Sequence, residues 1–137
     1  MSNRLAGLFS DHPILQASLL CRDLSWNQHG ELTIHNEFTS LKRGETYDFL
    51  VLNIWTDPWG GETRFKEKVE LLGPGGELLG VAENDPFSIA APNRRQINYT
   101  RFEKVTFLQS GCYRVRVTLR NVAGLEVFEF IHTLVVP

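Results

Sequence analysis

"GCYRVRVTLR", Gly111 to Arg120, alternates more cleanly than any other stretch of the chain. Tyr113, Val115, Val117 and Leu119 fall on one parity, and Arg114, Arg116, Thr118 and Arg120 on the other. A period of two is a strand with one buried and one wetted face. Working outward, "NVAG" follows as a turn and leads to an apolar strand at about 126–136, while "QSG" precedes it and closes a strand at about 97–108. In that earlier strand Phe102 lies on one parity and Val105 and Phe107 on the other, which predicts a bulge near Glu103.

The same punctuation runs back to the N-terminus. "GPGG", Gly73 to Gly76, joins strands at about 64–72 and 77–83. Phe65, Val69 and Leu71 there alternate with Arg64, Lys66, Lys68 and Glu70. Further strands are expected at about 16–22, 31–39 and 46–56, the last apolar on both faces. Helix is confined to short pieces, around 3–9 or 86–91. Seven to eight short strands with turns between them predict an all-β antiparallel sandwich.

At 137 residues with 42% hydrophobic content, the chain reads as a single domain, 1–137, able to bury a core without staples. Residues 1–15 are expected to be an extension that packs on the sandwich or on a partner. A formal net charge of −2 gives no pull towards nucleic acid. No apolar run is long enough to span a membrane. The N-terminus lacks a continuous signal-like apolar stretch, so a cytoplasmic location is expected. Cys21 and Cys112 are two thiols rather than a disulfide framework, because Cys112 neighbours the inward Tyr113 and points the other way.

"LQSGCYRVRV" resembles the corner of immunoglobulin-like domains, where Gly111 turns the chain and the Tyr113 hydroxyl bonds back to upstream backbone. Val115 stands where those domains carry a disulfide cysteine, so the resemblance implies the sandwich without its disulfide. "ASLLCRDLSWNQHGELTIHNEFTSL", "VELLGPGGELLG" and "FEKVTFLQSGCYRVRV" together look like a family of small bacterial β-sandwich proteins of unknown function. That family opens on a Leu-Cys-Asp strand followed by a Gly-Lys-Leu strand. Here Arg22 splits Cys21 from Asp23, and Glu31 replaces the Lys. The resemblance implies a fold and brings no activity or catalytic residues.

No residue set points to catalysis, to a metal or to a cofactor. The four histidines, His12, His29, His35 and His132, lack ligand spacing, and no Ser sits in a nucleophile elbow. The basic residues Arg64, Lys66, Lys68, Arg114, Arg116 and Arg120 would fringe one face with positive charge, as a polyanion site would use, if their strands flank the 46–56 strand in one sheet. Against the net acidic charge they read as solvated strand faces. In "NIWTDPWGGETRF", Trp55, Asp57 and Trp59 form either an aromatic platform for carbohydrate or a turn with a buried tryptophan on each side. Leu50, Leu52 and Ile54, with Val127, Ile131 and Val135, are apolar where solvent is expected. They predict a covered face, either under Leu5, Leu8, Phe9, Ile14 and Leu15 or against a second copy or an unknown protein partner. The sequence therefore suggests a non-catalytic binding module that self-associates as a homodimer. A carbohydrate-binding module and a small enzyme with an inter-sheet cavity are its rivals.

Overall fold

The structure, a computed structural model, describes residues 12–38 and 41–137. Eight strands follow one another: β1 (Ile14–Trp26), β2 (Leu32–Glu37), β3 (Thr46–Thr56), β4 (Lys66–Leu72), β5 (Leu78–Glu83), β6 (Arg95–Thr106), β7 (Gly111–Arg120) and β8 (Glu126–Val136). They form two antiparallel sheets, β2-β1-β3-β6 and β5-β4-β7-β8, stacked as an immunoglobulin-like sandwich and not closed into a barrel. The expected helix at 86–91 is instead extended chain, bridged to the segment before β4 through Phe65 and Phe87. The one expected at 3–9 lies outside the described residues.

The central strands β4 and β7 bury the parity their sequence offers, and β3 is buried on both faces. Phe49, Val51 and Trp55 of β3 meet Val69 and Leu71 of β4 and Val115, Val117 and Leu119 of β7. Turn chemistry fixes the registers. Asn27-Gln-His-Gly30 and Asn121-Val-Ala-Gly124 make the same turn in the two hairpins β1–β2 and β7–β8. In each, the Asn side-chain oxygen accepts two backbone N–H bonds, the local competition with regular structure that makes Asn a turn residue. The bulge in β6 is present: Glu103 and Lys104 together oppose Asp48 of β3. Lys104 adopts φ 53°, and its N–H donates to Asp48 Oδ1 at 2.7 Å.

The corner before β7 closes as an immunoglobulin-like tyrosine corner. The Tyr113 hydroxyl donates to the Gln109 carbonyl at 3.0 Å and accepts from the Gln109 N–H at 3.1 Å. Gly111 stands at φ 137°, and a Cβ there would meet Pro74 at 3.0 Å. Tyr113→Phe removes both bonds at a buried site and is expected to cost about 1–2 kcal/mol in urea unfolding, with the fold retained.

Three expectations about faces are corrected. β3 does not lie between β4 and β7; those two pair directly, and β3 belongs to the other sheet. Leu50, Leu52 and Ile54 therefore lie outside the first sheet and Ile131 and Val135 outside the second, while Val127, at a register shift in β8, packs against the core, so the six do not share one face. The first three are already buried within one chain. Of the residues expected to cover them, Leu5, Leu8 and Phe9 lie outside the described residues. Leu15 pairs with Trp55 and packs on the core, and Ile14 is exposed. Cys21 is buried and Cys112 exposed, both as free thiols.

Candidate functional site

The centre of the sandwich holds a carboxylate. Glu67 occupies the inward parity of β4, between Phe65 and Val69, and is fully buried. Across the inner face of the first sheet runs a polar row set by strand register: Ser18 opposite Asn53, and Asn53 opposite Asn98. Asn53 Nδ2 and Asn84 Nδ2 donate to Glu67 Oε1, each at 2.9 Å. Trp55 Nε1 donates to Oε2 at 2.7 Å and Asn98 Nδ2 at 2.9 Å. Two N–H donors on each oxygen suit an anionic carboxylate, which accepts only, and leave little room for an acid proton. Among the described residues no cation bonds to it.

The donors are themselves oriented. Asn98 Oδ1 accepts from Gln96 Nε2 at 2.8 Å, and Asn53 Oδ1 accepts from the Ser18 hydroxyl at 2.5 Å. Because Ser18 spends its one proton on Asn53, the 2.7 Å contact between Ser18 Oγ and His132 Nε2 requires His132 to donate. The chain of bonds thus runs from His132 through Ser18 and Asn53 to Glu67. His132 opens onto a cleft of about 370 Å³ between β1, the end of β2 and β8. A Ser–His pair at this distance resembles a nucleophile with its base, but the protons run the wrong way: His132 donates and Ser18 is already committed.

Burial pushes the His132 imidazole below its ordinary value. The folded state therefore favours neutral His132, while the unfolded chain takes up a proton first as the pH falls. This contribution to stability is fully present above about 6.5 and is lost progressively on acidification below it. Urea midpoints at pH 7.5 and 5.5 check this: His132→Gln should lose less stability on acidification than wild type. Equal losses would show that His132 is not held neutral by the fold.

The tryptophan turn divides. Trp55 is buried with its indole N–H on Glu67, as a core residue would be. Asp57 is also buried, and its Oδ1 accepts from the Trp59 N–H at 3.0 Å. Trp59 keeps 44% of its surface, so the turn has a buried tryptophan on one side only. Gly60 pins it: with φ 69°, a Cβ there would lie 2.8 Å from the Ala90 carbonyl oxygen. Of the three residues proposed for carbohydrate, one is presented to solvent.

One of the basic residues is fully engaged by carboxylates. Arg116 alone bonds Glu70 at 3.1 Å, Glu126 at 2.9 Å and Glu129 at 2.7 Å. Among the described residues no group of three or more His, Cys, Asp and Glu is placed to hold a metal ion.

Sequence reading passed over the hub. Glu67, Asn53 and Asn98 each sit on the buried parity of their strand, and that coincidence was the available signal.

No protein-family model matches this chain, and no curated protein matches it. Among solved structures, β-glucuronidase 2 from Bacteroides uniformis superposes with a TM-score of 0.60 at 15% identity. The match covers 72% of this chain and 12% of the enzyme. Its calcium-binding mutant matches over the same shares. A CARDB domain from Pyrococcus furiosus aligns over 90% of this chain and 93% of its own, with a TM-score of 0.44 and 13% identity. The likeness is one of fold, a small all-β domain, and the chain spans about an eighth of the glucuronidases.

Proposed function

We propose that this chain is a non-catalytic binding module that self-associates, with the outer edge of β8 as its joining surface. The observation that carries this reading is the contrast between β8 and the other three sheet edges. β2 has six residues and is kinked by Asn36 at φ 53°. β5 also has six residues, with Gly80 among them. β6 is long but carries Arg101, Glu103 and Lys104 and the bulge. Short length, charge and bulges are the usual guards against edge pairing.

β8 has a register shift only at Val127, near its start, and runs without bulge or charge from Phe130 to Val136. It is eleven residues, "EVFEFIHTLVV", without Lys, Arg or Pro, and among the described residues only β7 pairs with it. Ile131 is 40% exposed and Val135 65%. Its two carboxylates, Glu126 and Glu129, are both held by Arg116. The strand is also self-complementary. An antiparallel pair centred on Ile131 sets Glu129 opposite Thr133, so no carboxylate faces another. Such a pairing is isologous and closes as a dimer.

Light scattering on a size-exclusion column, across a range of concentrations, tests the reading. A species near twice 15.6 kDa is expected. A monomer at every concentration would overturn it. The carbohydrate reading rests on Trp59 alone, since Trp55 and Asp57 are turned into the core. It therefore carries less.

A further inference from the structure

Beside the segment leading into β4, the start of that strand and the β7–β8 turn lies a cavity of about 410 Å³. That volume is within the ordinary range for small-molecule sites. Four cationic side chains line it, Arg64, Lys66, Lys68 and Arg120, against one carboxylate, Glu83. Phe65, Pro86 and Val122 supply an apolar wall.

Three features separate this cavity from an ordinary solvated strand face. First, Lys66 and Arg120 are direct cross-strand partners, and like charges so placed destabilise a sheet. Second, Arg120 Nε is buried without a hydrogen-bond acceptor, and the Arg120 guanidinium reaches Glu126 only at 3.7 Å. No close protein acceptor saturates this guanidinium, whose partly exposed outer nitrogens are left to an incoming acceptor. Third, the neighbouring carboxylates are drawn elsewhere. Glu70 and Glu126 both sit closer to Arg116 than to Lys68 or Arg120. Glu83 is engaged by Lys66 at 3.0 Å, and Arg64 bonds to none of the described residues.

We propose that this cavity binds a small organic oxyanion, a phosphate monoester with an apolar body. The oxyanion accepts from Arg120 and Arg64, whose planar donor forks suit phosphate oxygens. Lys66 and Lys68 add charge, and the apolar body lies against Phe65 and Val122. The site is distinct from the β8 edge and does not depend on self-association.

Calorimetric titration with phenyl phosphate, and separately with inorganic phosphate, tests this at low ionic strength. Phenyl phosphate is expected to bind, and to bind more tightly than inorganic phosphate. Arg120→Gln should weaken it about tenfold or more, as should Lys66→Gln if the first variant folds poorly. Arg114→Gln, at the far end of the same sheet, should leave it unchanged. Absence of binding at about 10 mM phenyl phosphate would overturn the proposal. So would equal weakening by Arg114→Gln, which would mark unspecific charge attraction, or equal affinity for inorganic phosphate, which would remove the organic body.

Discussion

Glu67→Ala is expected to remove most of the domain's stability. The substitution deletes the acceptor of four N–H groups, from Asn53, Trp55, Asn84 and Asn98. An orphaned buried donor costs about 1–3 kcal/mol. The four losses are coupled and water can enter the hole, so the sum is smaller than four independent terms. A total of about 4 kcal/mol or more is expected, against the 5–15 kcal/mol typical of a whole domain. Glu67→Gln is the sharper variant because it keeps the shape. However its amide is turned, the NH₂ faces two N–H donors, and a loss of about 3 kcal/mol is expected. Urea unfolding of both variants, with Glu70→Gln as a control on the outer face, measures this. A Glu67→Gln variant within about 1 kcal/mol of wild type would show that the charge is not what the donors converge on.

The hub also specifies which strands meet. Its donors come from β3 and β6 in one sheet and from Asn84, just after β5 of the other, while the acceptor belongs to β4. A slip of β4 by one residue would carry Glu67 to the outer face and bring Lys66 or Lys68 into the core. An apolar residue at this position would tolerate far more misalignment. The buried carboxylate thus acts as a register mark, a role that satisfied polar networks fill when every member is bonded.

This explains how much of the molecule was legible beforehand. Strand existence is local: β3 and β8 span 46–56 and 126–136 as short apolar runs between turn residues indicate, and the β6 bulge follows from one switch of parity. Tyr113 and Gly111 were legible for the same reason, since a corner is a contact over four residues. Which strands share a sheet is not local: β3 faces β4 and β7 across the sandwich instead of lying between them. That one difference parts Leu50, Leu52 and Ile54 from Val127, Ile131 and Val135, which do not share a single face. Glu67 was hidden by the same limit. A lone Glu among Phe65, Val69 and Leu71 reads as an exception, and only partners from the opposite sheet make it a centre.

If the chain pairs through β8 as proposed, Ile131→Lys is expected to convert that dimer to a monomer while leaving the fold intact. Ile131 is 40% exposed and on the outer parity of β8, so a lysine there can reach solvent without opening the core. In the antiparallel pairing centred on Ile131, that residue meets its own copy across the two-fold axis. One substitution therefore places two ammonium groups opposite each other, which is how natural edge strands are guarded. An increase of about 100-fold in the dissociation constant, equivalent to about 2.7 kcal/mol, is expected. Leu79→Lys on β5, also exposed at an edge, serves as the comparison and should leave the dimer unchanged. Sedimentation equilibrium of the two variants separates the edges. Loss of the dimer with Leu79→Lys alone would move the interface to β5, where Gly80 and six residues of strand offer less to pair with. A dimer that survives both would require a surface other than a sheet edge of β5 or β8.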